Sequence, residues 1–286
     1  MPLCSLDTLP KQVDHMGNTF VDSHCHVHSV GPDSEAHSRA KWEELGLSPE
    51  AIVDRAVQAN VVKLICVGTD VTDSIKAVEF AQENEHCYAA IGIHPHEAKR
   101  YLKDTAALKQ LSDLARQPKV VAIGECGLDY FYNHSEPNDQ AAILRFQLDL
   151  AQEHNLPVIF HVREAFDDFW PIFNSYQDSL KGVLHSFTDT PKTLQTALDK
   201  GLYIGVNGIT TFPSATALRE MVKAVSSERL LLETDAPYLT PTPYRGNINE
   251  PKQIVRIAEF LVELRHTTLD QLADTTTVNA NRLFGL

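Results

Sequence analysis

The chain has 286 residues, with 25 basic against 38 acidic side chains and a formal net charge of −13. Hydrophobic residues at 43% and charged residues at 22% exclude a disordered or collagen-like chain, and one unit of this size can bury roughly 70 to 75% of its unfolded surface. The acidic balance excludes a protein that coats polyanions by long-range attraction, and no apolar run approaches the ~20 residues needed to span a bilayer.

Residues 1–18 have neither the basic nor the apolar region of a signal peptide and read as a mobile extension, leaving 19–286 as one domain. Compact apolar runs predict strands at 19–23, 62–67, 88–93, 120–124, 157–160, 182–184, 203–206 and 230–232. Amphipathic stretches separate them. Residues 31–47, polar and charged, read as a long loop or short-helix insertion after the first strand. Ser48 is placed to cap a helix that begins at Pro49, and 137–154 carries Ile143, Leu144, Phe146, Leu148 and Leu150 at helical spacing. Helices are also predicted at 251–265 and 269–283. Strand and helix in eightfold alternation predict an α/β fold, a (β/α)8 TIM barrel in a single domain, with a doubly wound open sheet as the rival. Five dispersed cysteines with no CxxC pair fit a reducing, cytoplasmic setting.

Thirteen histidines are the one compositional excess, and their positions point to chemistry. In a barrel of this kind the active site lies at the carboxyl ends of the strands. The first predicted strand runs into Asp22-Ser23-His24-Cys25-His26, the third into His94-Pro95-His96, the fourth into Glu125, the fifth into His161, the sixth into His185 and the eighth into Glu233-Thr234-Asp235. Residues two apart on a strand share a face, so His24 and His26 form a candidate metal clamp. A lone HxH is more often a pair of hydrogen-bonded loop histidines. Six ionisable groups that each terminate an apolar run are another matter, because core packing gives no reason for the pattern to recur. Four histidines with the carboxylates of Glu125 and Asp235 supply donors for two divalent ions, Mg2+, Mn2+ or Zn2+, with one carboxylate able to bridge. Such a pair would also reverse the local sign of an acidic protein.

These motifs, with Ala122-Ile123-Gly124-Glu125-Cys126-Gly127-Leu128-Asp129-Tyr130, Leu231-Leu232-Glu233-Thr234-Asp235-Ala236-Pro237 and Arg245-Gly246-Asn247-Ile248-Asn249-Glu250-Pro251, resemble the TatD family of metal-dependent deoxyribonucleases from about Phe20 to Leu286. The resemblance implies a TIM-barrel metal-dependent hydrolase that cleaves DNA, often as a 3′ to 5′ exonuclease, with single-stranded DNA as the expected substrate and a monomer as a plausible state. It also implies roles. His24 and His26 would hold one ion, Glu125 would bridge, His161 and His185 would hold the second ion, and Asp235 would complete the first site and act as general base toward a metal-held hydroxide. His94 would lie near the substrate phosphate, and Arg163 is close enough to His161 for an anion contact; His96 and Glu233 read equally as outer partners or occasional ligands and as structural hydrogen-bonding groups. Apart from the resemblance, Arg245 is as suited to a solvated loop as to a nucleic-acid backbone. The chain departs from the usual pattern in its long 31–47 segment, in residues 1–18, and in Val162, where a polar residue is common.

Three function classes follow. The first is a metal-dependent deoxyribonuclease; the second keeps the metals but acts on another ester or amide, such as misacylated tRNA; the third is a non-catalytic scaffold with a closed metal site. Glu125, where amide hydrolases of the superfamily often use a modified lysine, favours phosphodiesters. Several neighbours have plainer readings. The hydroxyls of Thr210 and Thr211 are as suited to a loop as to a phosphate. Asn249 reads as a possible helix cap, Trp42 and Trp170 as apolar anchors, and Tyr130, Phe131 and Tyr132 more as packing than as a base platform.

Overall fold

A computed structural model describes residues 17–29, 42, 46–132, 134–176 and 179–286. The predicted extension 1–18 and insertion 31–47 fall outside this set apart from positions 17, 18, 42, 46 and 47. Eight strands form one sheet in sequence order: β1 Phe20–Cys25, β2 Val61–Val67, β3 Cys87–Ile91, β4 Val120–Asp129, β5 Val158–Arg163, β6 Gly182–Leu184, β7 Tyr203–Val206 and β8 Leu230–Leu232. All seven successive pairs are parallel, and a parallel bridge between Cys25 and Ala236 closes β8 onto β1. Closure decides for the barrel over the open sheet.

Each strand is followed by a helix on the outside. These are α1 Pro49–Gln58, α2 Val71–Glu83, α3 Thr105–Leu114, α4 Pro137–His154, α5 Phe166–Asn174, α6 Pro191–Asp199 and α7 Thr216–Ala224, with α8 Ile254–Arg265 and α9 Leu269–Phe284 after β8. Local chemistry sets their starts. The side chains of Ser48, Asp70, Asp104 and Thr190 each accept a backbone N–H from the first turn of α1, α2, α3 and α6, and Thr268 and Gln271 form a reciprocal cap on α9. None of the helices among the described residues is long and apolar enough to cross a membrane.

The core divides into two layers, as strand alternation requires. Leu64 and Cys66 face the helices, whereas Ile65 and Val67 join Val21, Ala90, Ile159, Val183, Tyr203 and Leu231 in a cluster to which every strand contributes. That cluster fills the barrel, and Leu283 and Phe284 of α9 pack against it. The site therefore has a solid floor.

The longest departure from the predicted elements is β4. It runs five residues past Gly124, after a register shift between Ile123 and Cys126, and pairs Gly127 with His161 and Asp129 with Arg163. Gly127 is needed there, because a Cβ on it would lie 1.7 Å from the His161 carbonyl oxygen. Trp42 is fully buried, as an anchor should be, and its indole N–H donates to the carbonyl of Asn249.

Candidate metal centre

At the carboxyl end of β1, the extended backbone sends His24 and His26 to the same face and buries both rings. The Nδ1–H of His26 donates to the carbonyl of Val67 at 2.8 Å, which leaves its Nε2 lone pair free to face inward. That atom lies 3.3 Å from Nε2 of His24. Asp235 completes the corner: its N–H donates to the His24 carbonyl at 2.8 Å, while the His26 N–H donates to Ala236 at 2.8 Å. Its φ of 55° is in the left-handed region, which aspartate tolerates better than most residues. Asp235 Oδ1 stands 3.3 Å from His26 Nε2 and 3.6 Å from His24 Nε2. Beneath this corner Asp22, fully buried, accepts the Thr234 N–H at 2.9 Å and its hydroxyl at 2.5 Å.

Glu125 enters from β4. Its Oε2 lies 3.5 Å from His24 Nε2, and its Oε1 lies 2.7 Å from His161 Nδ1, 3.8 Å from His185 Nε2 and 3.8 Å from His94 Nε2. His185 stacks on His24 with ring centroids 3.5 Å apart. Carboxylates stand behind two of these rings: Asp129 Oδ2 is 3.1 Å from His161 Nε2, and Glu233 Oε1 is 3.1 Å from His185 Nδ1 without hydrogen-bond alignment. Glu233 is itself fixed by the Ser186 N–H at 2.7 Å, and Gly205 opposite leaves room for it, since a Cβ there would meet its carboxylate at 2.3 Å.

Electrostatics follow from this crowding. Burial and the charge of His185 push His24 below the ordinary imidazole value. Burial alone would lower His185 too, but Glu233 and Glu125 hold it up at about 10. His161, likewise buried, is held at about 9 by its hydrogen bonds to Asp129 and Glu125. Burial would raise Glu125 and Asp235, yet the surrounding rings keep both below the usual carboxylate range. Anionic oxygens thus draw positive charge to this spot, and a divalent cation satisfies the same attraction. The spacing fits one. Donors about 2.1 Å from a tetrahedral ion stand about 3.4 Å apart, and His24 Nε2, His26 Nε2 and Asp235 Oδ1 are separated by 3.3 to 3.6 Å. Among the described residues three donor groups converge within 4.8 Å: His24 with His26 and Asp235, His24 with His185 and Glu233, and His94 with Glu125 and His161.

Comparison with known proteins agrees with this chemistry. The family model described as TatD related DNase matches residues 21–285. The chain belongs to that family. The 3'-5' ssDNA/RNA exonuclease TatD of Erwinia amylovora is 40% identical over 244 residues, 83% of this chain and 93% of that protein. An uncharacterized metal-dependent hydrolase of Bacillus subtilis, YabD, is 37% identical over 88% of this chain and 98% of its own length. In structure, the TatD homologue YjjV of Escherichia coli superposes with a TM-score of 0.82 at 32% identity, covering 93% of this chain and 98% of that one. As a TatD-related DNase, the chain is a hydrolytic enzyme of a metal-dependent type.

Within this TatD-related barrel, His24, His26, Glu125, His161, His185 and Asp235 meet at one rim, as their strand-end positions predict. His94 is among them. Its Nδ1 accepts the His96 N–H, so its Nε2 carries the proton and faces inward as a donor. His96 donates to Asp129 at 3.0 Å. Arg163 lies farther out, its guanidinium 3.8 Å from the Phe131 ring centroid, and Arg245 lies 3.9 Å from that of Phe212. Other expectations are changed. Asn249 is no simple cap: fully buried, it donates to the carbonyls of Thr234 and Tyr238 and so clamps the loop that carries Asp235. Thr211 spends its hydroxyl on Gly208 and on the Thr242 N–H. Tyr130 packs against the core, with its hydroxyl on Asp168, but Phe131 and Tyr132 are exposed. Asp129 was readable only as part of a motif, because a turn-like Gly-Leu-Asp-Tyr stretch gives no sign of two histidine partners.

Proposed function

We propose that this enzyme hydrolyses phosphodiester bonds in single-stranded nucleic acid, taking nucleotides from the 3′ end, as the name of its Erwinia relative states for that protein. The observation that carries the reading is the meeting of His24, His26 and Asp235 around one point with Glu125 beside them. His24, His26 and Asp235 would hold one divalent ion; His161 and His185 would hold a second, each with a carboxylate behind it; Glu125 would be shared. Mg2+, Mn2+ and Zn2+ all suit this mixed donor set. Bound there, such ions would acidify water and offset charge on a phosphoryl oxygen.

The chain's own groups supply the rest. Asp235, with its side chain 15% exposed against 6% for Glu125, is the carboxylate open to an incoming water and takes its proton. His94 donates from Nε2 to a phosphate oxygen, which its tautomer allows. Arg163 and Arg245 steer the polyanion at the rim of an otherwise acidic protein. A cytoplasmic monomer completes the reading; the buried, unbridged thiols of Cys25, Cys66, Cys87 and Cys126 suit a reducing compartment.

The test is direct. Glu125→Gln and Asp235→Asn are expected to lower manganese-dependent release of nucleotides from 5′-labelled single-stranded DNA by at least about a thousandfold, with unchanged far-UV circular dichroism. Turnover at the unmodified rate by either variant in excess metal would overturn the assignment, and faster cleavage of an aminoacyl-tRNA ester than of DNA would move the substrate.

A further inference from the structure

Large hydrophobic side chains exposed among the described residues are Phe131, Tyr132, Tyr238, Tyr244 and Val278. Four of the five are aromatic, and all four sit in loops that follow β4 and β8, at the barrel end that carries the metal centre. Phe131 and Tyr132 are 50% and 52% exposed, although the fold has buried Phe160, Phe169 and Phe173 completely. Rings left wet beside a polar centre point to a flat apolar ligand.

We infer that Phe131, Tyr132 and Arg163 form a base-stacking subsite that holds one unpaired nucleotide of the substrate next to the metal centre. This rests on the phosphodiesterase reading and specifies what that site grips besides phosphate. The Tyr132 ring lies 5.4 Å from that of His96, which in turn lies 4.3 Å from His94. Across the centre, the Tyr238 ring lies 6.2 Å from His26. The reacting groups are therefore bracketed by exposed tyrosines.

The position of the first bracket is fixed by one buried carboxylate. Asp129 Oδ1 accepts the N–H groups of Phe131 at 2.9 Å and Tyr132 at 3.1 Å, while its Oδ2 accepts from His96 and His161. The aromatic loop and a metal-facing histidine thus share an anchor. Arg163, at the end of β5, lays its guanidinium 3.8 Å from the Phe131 centroid and 4.9 Å from that of Tyr132. Among the described residues its recorded contacts are with these rings and no carboxylate pairs with it, in a chain where acids outnumber bases by 38 to 25. Held on rings rather than on an acid, the cation remains available to a phosphate flanking the stacked base. Every base has a π-face, so such a subsite tolerates any sequence, and the rings ignore the sugar's 2′ position. A base inside a duplex already has both faces covered. The subsite therefore selects unpaired ends.

The experiment compares the wild type with Phe131→Ala, Tyr132→Ala and Tyr132→Phe on single-stranded oligonucleotides whose last two nucleotides either carry bases or are abasic. With manganese, the wild type is expected to show a KM about ten- to a hundredfold higher for the abasic ends, with kcat little changed. The alanine variants should lose this discrimination, and Tyr132→Phe should keep it. In chelator, where no cleavage occurs, 2-aminopurine at either of the last two positions should be quenched by the wild type and by Tyr132→Phe, and several-fold less by the alanine variants. Wild-type discrimination retained by folded alanine variants, or equal quenching by them, removes the subsite while leaving the nuclease intact. A wild type that cuts no oligonucleotide removes both.

Discussion

What a histidine can do here is set by the partner of its other nitrogen. His26 gives its Nδ1–H to Val67 and is left with a lone pair to offer, whereas His94 accepts on Nδ1 and is left with a proton. Asp129 acts in the same way, from behind, on His161, and Glu233 acts on His185 by its charge. Asp129→Asn and Glu233→Gln are accordingly expected to weaken manganese binding by about ten- to a hundredfold without unfolding the barrel, as titration calorimetry would read; undiminished affinity in both would count against the proposed ligand set. Asp22 makes a different prediction. Burial lifts its carboxyl from the ordinary 3.8 to about 7, against the hydrogen bonds from Thr234. With the folded value above the unfolded one, its neutral form contributes stability that is full below about pH 4 and is lost as pH rises toward 7. Asp22→Asn, whose amide keeps a neutral partner for Thr234, should remove up to about 4 kcal/mol of that slope. Urea unfolding of chelator-treated protein between pH 4.5 and 7.5 measures it, and parallel slopes for the two proteins would sink the idea. The six residues that converge at the rim were legible because each ends an apolar run, where an unpartnered ionisable group is costly. Asp129 and Asn249 were not, since their roles exist only through contacts made in the fold.

At the scale of elements, the short strands read cleanly from sequence because they are uninterrupted apolar runs: β6, β7 and β8 have the predicted bounds. β4 does not, since Gly124 and Gly127 break its apolar pattern and only pairing with β5 shows that the strand continues. The same extension swings Asp129 and the exposed rings over the site. Gly127 makes that close approach possible, so Gly127→Ala places a methyl group against the His161 backbone. The expected result is a pushed-apart β4–β5 pair, with stability lower by about 2 kcal/mol or more and nuclease activity lost beyond what the unfolded fraction explains. Thermal melts and assays on the same preparation separate the two effects; a variant with an unchanged melting temperature and full activity would show that the pairing is looser than the backbone distances imply.

Across the whole molecule, the barrel has one thin seam. Successive strands pair along two to five residues, but the chain just after β8 meets β1 through the single bridge of Cys25 with Ala236, helped by Ser23 on the Leu232 carbonyl and Thr234 on Asp22. His24 and His26 stand on one side of that seam and Asp235 on the other, so an ion held by all three would staple it. Metal binding and barrel closure should then be linked. At a free manganese concentration a hundred times the dissociation constant, the folded state gains about 2.7 kcal/mol, and chelation should lower the melting temperature by several degrees. The loss should also be local. Amide exchange at His26 and Asp235, whose N–H groups cross the seam, should rise on chelation more than exchange in α3, which is remote from it. A melting temperature indifferent to chelator would break the link between ion and closure, and a uniform rise in exchange would show that the ion stabilises the barrel without acting at its seam.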